Sequence, residues 1–241
     1  MNSSEIKKLD KEKIVSTYSR YDLVADSGKG ACCISADGRK YIDFTAGIGV
    51  NSLGFCDDGW VEAVTSQLKK LQHVSNLFYT QPQVEVADIL TARTGMKKVF
   101  FGNSGAEANE AAIKTARKYG TVNKGENANK IITLNNSFHG RTMATITATG
   151  QADYHKFFTP FLGGFDYCDA NDIKQLESMV SSDTCAIMME MIQGEGGVLN
   201  LDEAFVKAAE KLCREKDMLF IIDEVQTGIG RSGKLFAYEY F

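Results

Sequence analysis

Five apolar residues, 218–222 (MLFII), run directly into the charged pair Asp223-Glu224 and then into Val225-Gln226-Thr227-Gly228. An unbroken apolar run of that length suits a strand covered on both faces, as in the interior of a parallel sheet. The charge arrives at the strand's carboxyl end, where open α/β sheets gather their ligands. An acid placed there can hold a positive partner, and Gln226 can add a neutral hydrogen bond. The bland alternative is a strand that ends in a solvated Asp-Glu pair.

The pattern recurs upstream. Strands are predicted at residues 98–101, 130–134, 165–168, 185–189 and 218–222, with helices between them at 104–119, 172–181 and 202–216. In the last helix Phe205, Ala208, Ala209 and Leu212 share one face and Asp202 stands at the cap position. Strands alternating with helices argue for a mostly parallel α/β sheet with right-handed crossovers.

The first part of the chain reads differently. A polar lead is followed by a short helix predicted over 14–18, and then by extended pieces around an Asp37-Gly38 hairpin signal. A small antiparallel unit therefore leads into a glycine-rich crossing from Gly47 to Gly54, with a boundary placed at 52–58. Two helices follow, one burying Val61, Val64, Leu68 and Leu71, the other carrying Val84, Ala87 and Leu90 and stopped by Gly95. The resulting division is 1–55 as the N-terminal segment of a small domain and 56–241 as an incomplete large domain.

Net charge is −4, so no basic field invites nucleic acid. No apolar run reaches the roughly 18–20 residues of a membrane span, and the polar N-terminus lacks a signal-peptide core, which makes a cytoplasmic location the default. The six cysteines and three histidines show no metal-ligand spacing, so no metal is expected and the cysteines read as reduced thiols.

Four segments could carry chemistry. NSGAEANE, after the first strand of the alternating run, opens a helix whose free N–H groups suit a phosphate, with Ser104 adding a hydroxyl. Glu107 and Glu110 early and Lys114, Arg117 and Lys118 late complement the helix dipole. The same Gly102-Asn103-Ser104-Gly105-Ala106 also resembles the nucleophile elbow of α/β-hydrolases. That fold requires a histidine late in the chain, and the last one here, His155, precedes the last two predicted strands. In NNSFHGRT, Phe138 can stack on a planar ring and Arg141 can pair a carboxylate at two points, while His139 reads as a neutral hydrogen-bonding neighbour. EMIQGEGGV is a glycine-rich loop bearing Glu190 and Glu195, and DEVQ closes the set. The ends of parallel strands converge, so these segments can form one site.

Together with YIDFTAGIGVNSLGF, SNLFYTQPQ and GRSGKLFAYE, these segments, in this order, resemble the class III pyridoxal-phosphate aminotransferases of fold type I. SNLFYTQPQ and GRSGKLFAYE favour the acetylornithine branch over related ornithine or 4-aminobutyrate enzymes, and within that branch acetylornithine and succinylornithine stay open as alternatives. The resemblance implies that Ser104, Gly105 and Ala106 hold the phosphate of pyridoxal 5'-phosphate and that Phe138 stacks on its ring. Asp223, the catalytic assignment, would pair with the ring nitrogen and keep it protonated. Gln226 would bond the ring oxygen, and Glu224 and Val225 complete that cofactor-binding segment, Glu224 mainly as a structural residue. Arg141 would take the substrate α-carboxylate, with Glu195 and Glu190 in the substrate wall. The implied substrates are N-acetylornithine and 2-oxoglutarate, in arginine biosynthesis, and the implied assembly is a homodimer with its site at the subunit interface.

Two departures are small: Gly54-Phe55-Cys56-Asp57-Asp58 lacks the family's usual His and Pro, and Met191 stands where Pro is usual. A third is large. The family's lysine lies roughly thirty residues beyond the ring-nitrogen acid, which places it past Phe241; Lys234 and Lys114 are not positioned to replace it. The expectation is therefore a chain prepared for cofactor but not competent alone, with a non-catalytic binding module as the competing reading.

Overall fold

The computed structural model describes residues 1–241, which divide into two compact units, Met1–Val86 and Ala87–Phe241. Residues 56–86, assigned from sequence to the larger domain, group with the N-terminal unit.

The N-terminal unit begins with helix α1, Ser3–Lys13. The helix predicted at 14–18 is not formed; Ile14 has extended backbone and ends α1 instead. The reason is local: Asn2 and Glu5 make a reciprocal capping box at the start, whereas Ile14, Val15 and Thr17 are β-branched and poor continuers. A three-stranded antiparallel sheet follows, β1 (Ala25–Lys29), β2 (Cys32–Ser35) and β3 (Lys40–Ile42), in that order. The β2–β3 turn is Asp37-Gly38, with Gly38 at φ +80°. Helix α2, Asp58–Lys70, is capped by the Asp57 side chain. Its predicted buried face is not buried: Val61, Val64, Leu68 and Leu71 are all exposed. An amphipathic stripe specifies a face that needs cover, not the element that covers it. Helix α3, Gln81–Thr94, straddles the division and also has no buried residue.

In the larger unit, helix α4 spans Gly105–Lys124. Four parallel strands, β4 (Lys130–Leu134), β5 (Phe165–Cys168), β6 (Thr184–Met189) and β9 (Leu219–Ile222), pair in the order β5-β4-β6-β9. Between them lie α5 (Met143–Ala148), α6 (Ile173–Met179), the two-residue strands β7 (Ile192–Gln193) and β8 (Leu199–Asn200), and α7 (Glu203–Glu215). The strand predicted at 98–101 is absent. A strand requires a hydrogen-bonded neighbour, and no strand lies beside this stretch, where Phe100 and Phe101 are exposed.

Strand alternation sorts the core into two layers. Ile132, Leu134, Ile187 and Met189 face Leu176, Phe205, Val206, Ala209 and Cys213 of α6 and α7. Ile131, Ala186 and Met188 face Ile113, Ala116, Ala144 and Ala148 of α4 and α5. Every residue of β6 is buried, as expected for an inner parallel strand. Helix α4 lies so close to the sheet that a Cβ at Gly120 would stand 2.0 Å from Ala128 O and 2.6 Å from Cys185 Cβ.

Candidate active site

The carboxyl ends of β4, β6 and β9 deliver Phe138-His139, Glu190 and Asp223, and the start of α4 delivers Ser104-Gly105-Ala106. Asp223 extends β9 by one rung, its N–H donating to Met189 O at 2.8 Å. Its carboxylate is 5% exposed and takes three donors. Val225 N–H reaches Oδ1 at 2.9 Å, while Asn109 Nδ2 and His139 Nδ1 each reach Oδ2 at 2.8 Å. An acceptor-only carboxylate requires that His139 carry its hydrogen on Nδ1. Burial pushes the Asp223 carboxyl up, but the hydrogen bond and charge of His139, with Val225 N–H and the Asn109 amide, outweigh it and hold the group below its usual value. The site therefore keeps a buried anion.

Glu190, also 5% exposed, takes the opposite course. Burial raises its carboxyl to about 7, with the Asp223 charge adding to the rise and His139, Phe138 N–H and Gly194 N–H opposing it. Its Oε2 accepts Phe138 N–H at 3.0 Å, which ties the end of β6 to the loop after β4.

Ser104 is the N-cap of α4, its Oγ accepting Glu107 N–H at 3.2 Å. The first-turn N–H groups of a helix have no intrahelical partner and carry partial positive charge. A Cβ at Gly105 would fall 2.6 Å from Val225 Cγ1, so only glycine lets this helix start meet the segment after β9. A Cβ at Gly140 would fall 3.0 Å from Ala106 Cβ, and one at Gly194 3.1 Å from Gln226 Cγ. These close approaches join Gly105, Ala106, Val225, Gln226, the 138–140 loop and the 190–194 loop into one cluster.

Phe138 is half-buried, its ring 5.2 Å from that of Tyr154 and tilted by 57°. The exposed Arg141 lays its guanidinium 5.8 Å from the same Tyr154 ring. Glu195 is exposed in the β7–β8 turn, one residue beyond Gly194. Glu224 turns away from Asp223: its carboxylate accepts Ala237 N–H at 2.9 Å, Tyr238 N–H at 2.8 Å and the Thr227 hydroxyl. The residue that sequence reasoning missed is Asn109. Its signal was an amide on the helical stripe that otherwise carries Ile113, Ala116 and Gly120.

This donor set fits a phosphorylated pyridine. A buried carboxylate that stays ionised calls for a cation, which a protonated ring nitrogen supplies. Oδ1 holds one donor where Oδ2 holds two, and a glycine-started helix supplies N–H groups for an anion.

The fold and site together define an α/β transferase of the pyridoxal-phosphate type. The family model "Aminotransferase class-III" matches residues 15–241, and the chain belongs to this family of pyridoxal-phosphate-dependent enzymes. Among curated relatives, the acetylornithine aminotransferase of Haemophilus ducreyi is 52% identical over all of this chain and 62% of its own length. That of Caldanaerobacter subterraneus is 51% identical over 96% of this chain and 59% of its own. Among solved structures, the Toxoplasma gondii ornithine aminotransferase superposes with a TM-score of 0.94 at 32% identity, over 100% of this chain and 57% of that one. The N-acetylornithine aminotransferase of Stenotrophomonas maltophilia does so with 0.81 at 38%, over 97% and 57%. The chain thus spans about 60% of the length of the relatives it matches.

Proposed function

We propose that this chain forms the cofactor-binding part of an aminotransferase that moves the δ-amino group of N-acetylornithine to 2-oxoglutarate, a step of arginine biosynthesis. The observation that carries the reading is the buried, ionised Asp223 with an under-filled Oδ1, set beside a glycine-started helix. Identity of 45–52% to acetylornithine aminotransferases supports the choice of substrate class.

When bound, pyridoxal phosphate supplies an electron-accepting ring that eases loss of a proton from the substrate carbon bearing the amine. Asp223 holds the proton on the ring nitrogen by charge and hydrogen bond. Phe138 covers one ring face and excludes water from it. Gln226 donates to the ring oxygen, and Ser104 Oγ with the N–H groups of Gly105 and Ala106 binds the phosphate. Arg141 takes the substrate α-carboxylate as a two-point pair. Glu190 and Glu195 border the substrate side, Glu190 able to be neutral near pH 7. The proton transfer and cofactor attachment fall to the family's lysine.

No helix is long and apolar enough to cross a membrane, consistent with a cytoplasmic enzyme. We assign a homodimer to the complete protein, on the exposed Trp60, Val61, Val64 and Leu68 of α2. The test is turnover by the full-length protein of N-acetylornithine, N-succinylornithine, ornithine and 4-aminobutyrate with 2-oxoglutarate. The reading predicts the highest kcat/KM for N-acetylornithine; preference for free ornithine or 4-aminobutyrate would overturn it.

A further inference from the structure

Asn109 touches neither substrate nor cofactor in the proposed site, yet it bonds both the Asp223 carboxylate and the His139 carbonyl beside Phe138. It lies in the second turn of α4 and is 6% exposed. Its Nδ2 donates to His139 O at 2.8 Å and to Asp223 Oδ2 at 2.8 Å. A carbonyl and a carboxylate are both acceptors, so the amide has one workable orientation, with its nitrogen toward them. One side chain thereby joins α4, the loop after β4 and the end of β9. His139 Nδ1 is the second donor to the same Oδ2.

We infer that Asn109 is the positioning residue for Asp223: with His139 it fills Oδ2 and so directs the remaining acceptor capacity of Oδ1 to the ring nitrogen of the cofactor. This rests on the pyridoxal-phosphate reading of the site. Without the amide, Oδ2 keeps one donor, the two oxygens become equivalent in demand, and the carboxylate gains rotation about its Cβ–Cγ bond. The 138–139 backbone also loses the bond that fixes its distance from Asp223.

The test compares the affinity of the full-length protein for pyridoxal phosphate and for 1-deazapyridoxal phosphate, in which a ring carbon replaces the nitrogen, by equilibrium dialysis. The wild type should favour the nitrogen ring by on the order of tenfold or more, the yield of one charge-assisted hydrogen bond. Asn109→Ala should lower that ratio by about fivefold, the loss falling on pyridoxal phosphate and sparing the deaza ring. Asn109→Thr, near in volume and keeping one hydroxyl donor, should fall between them, and it replaces the alanine variant if that one does not fold. The ratio is a property of the folded fraction, so a lowered melting temperature does not imitate the effect. Equal weakening of both ligands, with the ratio unchanged, would reduce Asn109 to a structural role and overturn the inference. A wild type that does not distinguish the two rings would instead overturn the Asp223 contact itself.

Discussion

Asp223 and Glu190 are two buried carboxyl groups driven in opposite directions by their partners. Three donors keep Asp223 ionised, so Asp223→Asn, which removes the charge and preserves the shape, should lower kcat of the full-length enzyme by about 100-fold or more. Steady-state kinetics with saturating cofactor checks this. Glu190 receives weaker compensation and its carboxyl rises to about 7. Its folded value lies above its unfolded value, so the stability it contributes is fully present below about pH 4.5 and is lost as pH rises through about 7. The loss by pH 8 is about 3 kcal/mol by the shift alone. Melting temperatures across pH 5–9 should therefore fall toward the alkaline side, and Glu190→Gln should flatten that decline. At this scale the sequence was partly legible. Asp223, Phe138 and Glu190 stood out because each follows a strand, and strand ends converge. Asn109 did not, because its partners lie 30 and 114 residues away in the chain. The split role of the 223–226 segment was visible only in part: what Glu224 grips is the backbone of Ala237 and Tyr238.

The elements that proved easiest to read were those whose hydrophobic pattern agrees with their surroundings. Strands β4, β5, β6 and β9 and helices α4, α6 and α7 formed within a few residues of expectation, because each buries a face against the next. The stretch 98–101 has strand-like composition but no neighbour to pair with, and 14–18 lost to the better-capped α1. Contact between elements also explains why small residues sit where they do. Gly120 in α4 faces Ala128 O and Cys185 Cβ at distances no Cβ tolerates, so Gly120→Ala should push α4 from β6 and destabilise the protein by about 1–3 kcal/mol or more. Chemical denaturation should show a lower midpoint despite alanine's higher helix propensity. An unchanged or raised midpoint would mean that α4 does not press on the sheet as described.

At the scale of the molecule, the two units differ in what holds them. The unit Ala87–Phe241 has a double-layered core, whereas no hydrophobic residue of Met1–Val86 is buried. The apolar faces there, including Trp60, Val64 and Leu68, are exposed, as are Phe78 and Tyr79. Exposed apolar patches of this kind mark interfaces or association sites. The 241-residue span expressed alone should elute above monomer size and bind a hydrophobic dye, and the full-length protein should bind much less dye. Light scattering that returns a dye-silent monomer would refute this. The central claim, that the carboxyl ends of the sheet and the start of α4 form one pyridoxal-phosphate site ordered by Asp223, is tested most directly by a crystal structure of the full-length protein with the cofactor bound. The ring nitrogen should lie about 2.7–2.9 Å from Asp223 Oδ1 and the phosphate on the N–H groups of Gly105 and Ala106. A ring nitrogen turned away from Asp223, or a phosphate held elsewhere than the start of α4, would contradict it.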